Sequence, residues 1–587
     1  MNEIMMIDNK NDLNWYEDIR EIKDIKELLN GSAKLFADRP AFWIKKFKGD
    51  EYHMITYDRL KKDVDALGTR MLAMGLGGKR IAVMGQGCYE WFVTYLATVN
   101  GVGVVVPVDK EFDAAMVQNV LDTAECDTIF YTGGESKKIA QLTGIKNKIK
   151  MDMYGDRTDD DEPFYYKEEE GAFAWKKLLE EGYKLVGEGI TDYKDKVIDN
   201  KVMAILLFTS GTTGTPKGVM LSHWNIAFDV MEIARAEEIR PDDITLSVLP
   251  IHHTYESTGS LLFLYRGASI AYSEGLKYIS KNMLEIHNTF FIAVPLLLET
   301  VYDRIWKTAR KQGKEKMLKK AIALNNKARG IGINIGNQIF RSIRKQLGGK
   351  LRMVVSGAAA VPPEIVRGFD NFGISVVSGY GLTETSPMIA ATPSFSEKRY
   401  KKAGSTGVCV KNGQMKIVDP DEDGIGEIWY KGENVMLGYY NMPELTAETV
   451  VDGWFNTGDL GFFDSEGWLY ITGRKKNVIV TKNGENIYPE EIEDIINKYD
   501  EVSDSMVYAL DRNGNDIVAV QILPDKEYLA EKYGEMPSDA ETEKIMRDII
   551  SEVNDKLPTF KIIRDVIVRK EDFIRTTTRK IKRAANI

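Results

Sequence analysis

Residues 209–218 bring together the side chains best suited to holding a phosphate group. They read Thr-Ser-Gly-Thr-Thr-Gly-Thr-Pro-Lys-Gly and follow an apolar run, 204–208, that predicts a buried strand. Glycine lets successive backbone N–H groups converge on an anion, hydroxyl groups donate further hydrogen bonds, and a lysine adds a compact positive charge. The candidate phosphate ligands are Thr209, Ser210, Gly211, Thr212, Thr213, Gly214 and Lys217.

The spacing of this stretch differs from that of the P-loop of nucleotide hydrolases. That loop has the order Gly, four residues, Gly, Lys and then Ser or Thr, whereas Gly218 follows Lys217 here. A plain turn is the other interpretation of a cluster rich in Gly and Thr. A P-loop hydrolase is therefore the weakest of the enzyme hypotheses.

Oxygen-bearing side chains follow two further predicted strands. Gly357 and Ala358 come after a strand at 351–355, and a strand near 374–377 precedes Gly379, Tyr380, Gly381, Thr383 and Glu384. Loops after parallel strands are where α/β sheets bind ligands. Asp459, predicted to lie after a turn, can accept hydrogen bonds from both hydroxyls of a ribose.

Two adjacent histidines, His252 and His253, raise the question of a metal site. Adjacent ligands without a third at a suitable spacing are weak evidence for such a site. No metal role follows for the two histidines from the sequence alone.

The elements that must position these residues alternate between helices and strands. A helix is predicted to begin near 56–60 and to run to about residue 74, followed by a strand at 80–84, a helix at 91–100 and the run 103–107. Strand, helix and strand in this order indicate a parallel α/β sheet. A second amphipathic helix is predicted to begin in 487–493, within a segment that alternates strands and helices.

Length and composition narrow the class of protein. At 587 residues the chain predicts at least two domains, and its net charge of -10 argues against binding nucleic acid. Its cysteines, Cys88, Cys126 and Cys409, are too scattered for a metal knuckle or a disulfide framework, so buried thiols are expected. Residues 1–24 lack the apolar core of a signal peptide, and the most apolar stretch, 290–298, is about half as long as a membrane span. We therefore expect a cytoplasmic protein.

Residues 206–218 resemble the phosphate loop of the adenylate-forming superfamily, which includes acyl-CoA synthetases, the adenylation domains of peptide synthetases and luciferases. The resemblance covers nearly the whole chain, with the motifs in the family's order. It implies an α/β fold with a large N-terminal domain of parallel and mixed sheets, residues 1–475. It also implies a small mobile C-terminal α+β domain, residues 476–587, with Lys476 as the hinge.

The resemblance implies a role for each remaining candidate. Gly357 and Ala358 are expected to lie along adenine, and Tyr380, which stands between Gly379 and Gly381 in the sequence, is expected to stack on the base. Thr383 is expected to contact the α-phosphate and Glu384 to bind Mg²⁺. Asp459 and Arg474 are expected to contact the ribose. His253 and Tyr255 line the acyl pocket, and Gly484, Glu485 and Asn486 belong to a loop that enters the site for the second half-reaction. Lys580 is the catalytic lysine, acting with Thr209, Lys217 and Glu384, although Arg579 stands where many family members have glycine.

The implied activity is an ATP-dependent acid–CoA ligase that uses Mg²⁺ and coenzyme A. Residues 294–303 and the basic segment 304–350, whose only acid is Glu315, look like the long-chain branch and imply a medium- to long-chain fatty acid. This basic segment is either a solvated helical face or a patch that attracts anionic lipid or the phosphates of coenzyme A. The alternatives are a ligase that passes its acyl-adenylate to a carrier protein, a ligase for another carboxylic acid, and a nucleotide-binding sensor without chemistry.

Overall fold

A computed structural model describes residues 5–7, 15–151, 173–209, 216–329, 335–357, 361–480, 486–512, 516–576 and 580–587. Eight predicted site residues lie outside this set: Ser210, Gly211, Thr212, Thr213, Gly214, Ala358, Gly484 and Glu485. The three cysteines are buried, as predicted. Among the described residues, no helix combines the length and the apolar character needed to cross a membrane.

The strands are numbered in chain order. They are β1 (Met5–Ile7), β2 (Pro40–Lys45), β3 (Tyr52–Thr56), β4 (Arg80–Met84), β5 (Val104–Val108), β6 (Thr128–Thr132), β7 (Asn147–Met151), β8 (Phe173–Ala174), β9 (Met203–Thr209), β10 (Lys217–Ser222), β11 (Ile244–Ser247), β12 (Ser269–Tyr272), β13 (Phe290–Ala293), β14 (Met353–Ser356), β15 (Ser375–Gly381), β16 (Met388–Ala391), β17 (Val408–Cys409), β18 (Gln414–Val418), β19 (Gly426–Lys431), β20 (Gly438–Tyr439), β21 (Val450–Val451), β22 (Trp454–Phe463), β23 (Leu469–Arg474), β24 (Ile479–Val480), β25 (Asn486–Ile487), β26 (Val502–Asp511), β27 (Asp516–Pro524) and β28 (Asp565–Val568).

The α-helices are numbered in the same way. They are α1 (Ile25–Leu35), α2 (Tyr57–Ala73), α3 (Tyr89–Ala97), α4 (Ala114–Thr123), α5 (Ser136–Ile139), α6 (Trp175–Gly187), α7 (His223–Ala236), α8 (Thr254–Arg266), α9 (Ile279–Ile286), α10 (Pro295–Lys311), α11 (Glu315–Arg329), α12 (Gly336–Ile339), α13 (Arg341–Gln346), α14 (Pro363–Asn371), α15 (Pro443–Thr449), α16 (Pro489–Ile496), α17 (Lys526–Tyr533), α18 (Asp539–Asn554) and α19 (Arg583–Asn586). Shorter 3₁₀ turns include Thr383–Thr385 and Lys475–Asn477, and a π turn covers Thr98–Val102.

The chain divides into two compact units. The larger one contains the described residues of Asp8–Gln414 and Tyr430–Phe455, and the smaller one contains those of Met1–Ile7, Met415–Trp429 and Asn456–Ile587. The smaller unit therefore includes segments that precede residue 476. A functional boundary between 475 and 476 remains a prediction.

Two sheets form the framework of the larger unit. In the first, the strand order is β20-β10-β9-β5-β4-β6-β7-β8, with β9, β5, β4, β6, β7 and β8 parallel and β10 antiparallel to β9. In the second, the order is β17-β16-β15-β14-β13-β11-β12-β2-β3, with parallel pairing from β15 to β2. Parallel strands are covered on both faces, which explains continuous apolar runs such as Ile81 to Met84 in β4.

The smaller unit has an α+β organisation. Strands β1, β18, β19 and β22 form a sheet in that order, and β23 also pairs with β22. Further along the chain, β26, β27 and β28 form a second sheet. Its core includes Ile492 of α16, Val520 of β27 and Met546 of α18, all fully buried. The predicted combination of a large α/β part and a small α+β part is confirmed.

Two loop predictions are wrong. Gly379, Tyr380 and Gly381 belong to β15, which continues because it pairs antiparallel with β16. Glycine in a sequence usually indicates a turn. At Gly381, however, a Cβ atom would lie 1.7 Å from the Pro387 carbonyl oxygen, so glycine is required because two backbone segments approach closely. Asp459 lies inside β22, opposite Arg474 of β23, and not after a turn.

Candidate functional site

The β9–β10 hairpin holds the two ends of the predicted phosphate-binding stretch. Thr209 ends β9, Lys217 begins β10, and the two residues are cross-strand partners. The Thr209 hydroxyl lies 3.5 Å from the Lys217 carbonyl oxygen, to which it donates a long hydrogen bond. Both side chains are partly buried. The hairpin thus presents a hydroxyl and an ammonium group at one edge of the first sheet.

Tyr439 connects this hairpin to the predicted metal ligand. Strand β20 pairs with β10, with Tyr439 opposite Val219. The Tyr439 hydroxyl donates a 2.8 Å hydrogen bond to Oε1 of Glu384, and the Lys217 ammonium lies 5.4 Å from the centre of the Tyr439 ring. Burial and then the Glu384 carboxylate raise the pKa of Tyr439, so its hydroxyl stays protonated and remains a donor. The sequence analysis missed this residue.

Glu384 stands on a turn that is fixed from several sides. The turn Thr383–Thr385 is short, and the Met436 N–H donates to the Glu384 carbonyl at 2.8 Å. Asn434 is fully buried and donates to the carbonyl oxygens of Thr385 and Met388. The side chains of Thr383 and Glu384 are themselves only partly buried. Their oxygen atoms are therefore held on a rigid support while they stay within reach of a ligand.

Tyr255 and Gly357 meet at the ends of two strands of the second sheet. The Tyr255 hydroxyl donates to the carbonyl oxygens of Val355 and Ala293, at 3.1 and 3.3 Å. A Cβ atom at Gly357 would lie 2.9 Å from Cζ of the Tyr255 ring. Glycine at this position leaves room for the aromatic ring. Tyr380 lies buried in the neighbouring strand β15.

His253 lies in a different cluster, with His252 and Asp109. One possible ligand atom from each of these three side chains lies within 4.8 Å of the other two. Burial alone would raise the pKa of Asp109, but its contact with His252 outweighs that effect and lowers the pKa to about 2. The Asp109 side chain is accordingly a carboxylate at neutral pH. The predicted pairing of His253 with Tyr255 in an acyl pocket remains a prediction.

In the smaller unit, Asp459, Arg474 and Lys580 come together. Nε of Arg474 lies 2.8 Å from Oδ1 of Asp459 across the β22–β23 pair. Lys580 is exposed as a residue. Desolvation of its ammonium group, and then the positive charges of Arg474 and Lys476, lower the pKa of Lys580, while Asp459 opposes the shift. The group thus combines a buried carboxylate with two cations.

The chain around Lys580 is held by hydrogen bonds between backbone groups and from side chains to the backbone. Thr576 N–H donates to the Lys580 carbonyl at 2.8 Å, and Lys580 N–H donates to the Thr576 hydroxyl at 3.1 Å. The buried Asn586 side chain donates to the Ile574 carbonyl at 3.0 Å and accepts from the Ile574 N–H at 2.9 Å. The position of Lys580 is therefore set by contacts on both sides of it in the sequence.

Lys476 and Asn486 complete the predicted site residues that the structure describes. Lys476 is exposed in the turn Lys475–Asn477, and Asn486 begins β25, where it pairs with Val480 of β24. The predicted helix after this point exists as α16, which begins at Pro489. The basic segment is helical as predicted, in α10 to α13.

Comparison with known proteins identifies two family models along the chain. Residues 29–440 match the model described as "AMP-binding enzyme", and residues 476–587 match "AMP-binding enzyme C-terminal domain". The first match alone spans more than half of the chain.

Individual relatives agree with these matches. The chain is 28% identical over 624 residues to the long-chain-fatty-acid–CoA ligase 1 of Cavia porcellus, an alignment that covers 97% of this chain and 85% of the relative. It is 28% identical over 599 residues to the fatty acyl-CoA synthetase A of Dictyostelium discoideum, with coverage of 95% and 86%. Among solved structures, an anthranilate CoA ligase in complex with anthranoyl-AMP superposes with a TM-score of 0.73 at 17% identity, covering 96% of this chain and 97% of that chain. At this identity, the similarity to the solved structure shows a shared fold and nothing more.

Proposed function

The chain belongs to the AMP-binding enzyme family, and we propose that it converts a medium- to long-chain fatty acid to its coenzyme A thioester through an acyl-adenylate. The observation that carries the proposal is that Tyr439 contacts both Glu384 and Lys217, and that Thr209 is the strand partner of Lys217. A cation, a hydroxyl and an oriented carboxylate are the groups that a nucleoside triphosphate and its counter-ion require.

Activation is needed because a carboxylate is a poor electrophile. In the first half-reaction, a carboxylate oxygen of the fatty acid attacks the α-phosphorus of ATP, the bond to the bridging oxygen breaks, and pyrophosphate leaves. In the second, the sulfur of coenzyme A attacks the acyl carbon, the acyl–oxygen bond breaks, AMP leaves and the thiol proton passes to solvent. Neither step needs a side-chain nucleophile.

The protein contributes to the reaction by placing positively charged side chains next to its anionic reactants. Lys217 and Lys580 are assigned to the phosphates, where their positive charges offset the repulsion between two anionic reactants. Asp459 and Arg474 are assigned to the ribose, and Tyr380, with Gly357, to adenine. Gly484, Glu485 and Asn486 are assigned to the second half-reaction.

Glu384 fits a Mg²⁺ ion that accompanies the nucleotide, and Thr383 is assigned to the α-phosphate. The Glu384 carboxylate offers hard oxygen atoms, and Tyr439 orients it through Oε1. Bound there, Mg²⁺ would supply further charge compensation for the phosphates.

Replacing Tyr439 by phenylalanine tests this assignment. The ring beside Lys217 remains, but the hydrogen bond to Glu384 is lost. We expect the Mg²⁺ concentration that gives half-maximal adenylation to rise about tenfold or more, as for other groups that orient a metal ligand. Pyrophosphate exchange at a series of Mg²⁺ concentrations measures the effect. Tyr440→Phe is the matched control, since Tyr440 stacks under Arg80 and should leave the Mg²⁺ dependence unchanged.

The fatty acid is proposed from the names of the relatives and from the long-chain character of residues 294–303. His253 and Tyr255 are assigned to the acyl pocket. Each methylene buried in an apolar tunnel favours binding by about 0.8 kcal/mol, or roughly fourfold. The specificity constant should therefore climb with chain length and then level off or fall. Acid-dependent pyrophosphate release over short, medium, long and aromatic acids measures it, and a preference for acetate or benzoate over decanoate would contradict the assignment.

The identity of the acceptor is tested separately. With coenzyme A as the only thiol, the proposal requires acyl-CoA as a product, detected by mass spectrometry. Pyrophosphate exchange without acyl-CoA would indicate a ligase that hands its acyl-adenylate to a carrier protein. Absence of exchange with every acid would indicate a nucleotide-binding protein without this chemistry.

A further inference from the structure

Asp109, His252 and His253 come from different sheets of the larger unit. Asp109 directly follows β5 of the first sheet, and His252 and His253 lie between β11 of the second sheet and α8. Strands β5 and β9 are parallel, with Val105 opposite Ile205, so Asp109 lies at the same sheet edge as Thr209. The cluster is thus formed by tertiary packing at the ligand-facing ends of parallel strands.

The side chains are buried and close together. Relative exposure is 3% for His252 and 8% for Asp109, and His253 is partly buried. The two imidazole rings have centroids 4.1 Å apart. Nε2 of His252 lies 3.5 Å from Oδ2 of Asp109, which is long for a hydrogen bond. Neither ring nitrogen of His252 makes a hydrogen bond to any residue that the structure describes, although buried polar atoms are nearly always satisfied.

From this geometry we propose that Asp109, His252 and His253 bind a divalent first-row transition-metal ion, such as Zn²⁺ or Co²⁺. Imidazole nitrogen and carboxylate oxygen are common ligands of these ions. Two ligands of a tetrahedral ion with bonds of about 2.0–2.1 Å are roughly 3.3–3.4 Å apart, close to the contact between His252 and Asp109. Mg²⁺ is disfavoured, because it prefers hard oxygen ligands to imidazole.

The proposed site shares His253 with the predicted acyl pocket, but it does not use the predicted Mg²⁺ ligand. Glu384, assigned to Mg²⁺, lies on a different turn. Among the described residues, Asp109, His252 and His253 form the one group of three or more His, Cys, Asp or Glu side chains with this proximity. A bound ion would connect the end of β5 to the segment before α8 and so cross-link the two sheets.

Metal binding is tested on the full chain without an affinity tag. The protein is treated with a chelator, dialysed, and titrated with Co²⁺ or Zn²⁺ in excess Mg²⁺ and without nucleotide. We expect a single equivalent of metal per chain, retained through dialysis and measured by mass spectrometry of the elements. Failure of the wild-type chain to retain metal would overturn the proposal.

Variants locate the site. Asp109→Asn and His252→Asn should each weaken Co²⁺ binding by at least about tenfold, since each removes a ligand or its charge. His287→Asn is the matched control: His287 bonds to the Gly348 carbonyl elsewhere, and asparagine tolerates its positive φ of 52°. Wild-type affinity in both ligand variants would overturn the proposal.

A measurement on the wild-type chain covers the case in which a variant does not fold. X-ray absorption at the zinc edge should show imidazole nitrogen and carboxylate oxygen at about 2.0–2.1 Å. A spectrum without imidazole ligands would contradict the proposed site, whatever the stoichiometry.

Discussion

Replacing Lys580 by alanine is expected to slow acyl-adenylate formation by about 10²–10³, the usual effect of removing one preorganised charge-stabilising group. The lysine is held by Thr576 and lies in electrostatic reach of Asp459 and Arg474. If its charge acts only while the adenylate forms, thioester formation from supplied acyl-adenylate should survive. Pyrophosphate exchange measures the first step, and acyl-CoA production from the synthetic adenylate measures the second.

The control for this variant is Lys582→Ala, which removes an exposed lysine from the same region. The backbone N–H of Lys582 donates to the Ile574 carbonyl, and alanine keeps that bond. Both steps should continue in the control. Equal loss of the two steps in Lys580→Ala would indicate misfolding or a wrong alignment of the motif, in which Arg579 replaces the family's glycine.

The lowered pKa of Lys580 adds a pH signature. A lysine whose pKa is depressed loses its positive charge at a lower pH than an ordinary lysine. The rate of adenylation should therefore fall as the pH rises through that lowered pKa. In Lys580→Ala, this decrease of the rate at high pH should be absent. Pyrophosphate exchange as a function of pH provides the measurement.

Replacing Lys476 by proline is expected to separate the two half-reactions. We propose Lys580 for the first half-reaction and the segment 484–486 for the second, and both follow residue 476. Domain reorientation is usually absorbed by a few backbone torsions at the boundary of an element. Proline fixes φ near −65°, which matches the 3₁₀ turn Lys475–Asn477. The variant should keep its rate of adenylation, whereas its rate of thioester formation should fall by a factor of about 10² or more, as expected when reacting groups are misplaced.

The residues on either side of Lys476 contact different segments of the smaller unit. The Lys475 ammonium pairs with the Glu427 carboxylate, whereas the Asn477 amide donates to Oε1 of Glu490 at 2.8 Å. Neighbouring residues are thus attached to an earlier and a later part of the chain. Lys476→Ala is the control, because it removes the charge without restricting φ. The assignment of Lys476 as the hinge is wrong if a folded Lys476→Pro variant makes acyl-CoA as fast as Lys476→Ala.

The sequence was sufficient for features whose signals are local. The strand before Thr209, the helix after residue 56 and the small α+β part all follow from short-range patterns of apolar and turn residues. Gly379 and Gly381 were misread because glycine has two uses, in turns and at close backbone approaches, and only the pairing with β16 separates them.

Features that depend on distant strands could not be predicted in this way. Tyr439 has its role because β20 pairs with β10, far away in the sequence. Asp109 and the two histidines are distant in the sequence, and their proximity depends on how two sheets pack. No local pattern encodes either arrangement. Such sites are found by asking which charged side chains the tertiary fold buries together.

The pairing of β1 with β18 affects how the protein is made. Met5 pairs with Ile417, so about 410 residues must follow the first strand before its partner exists. At 5–20 residues per second, synthesis of that interval takes on the order of 20–80 s. During this time the ribosome-bound chain can fold other elements, but β1 must wait. Once β18 emerges, its edge stays open to incorrect partners until β1 closes the sheet. β1 therefore leaves the ribosome before the other described strands but reaches its native place only after β18 has been made.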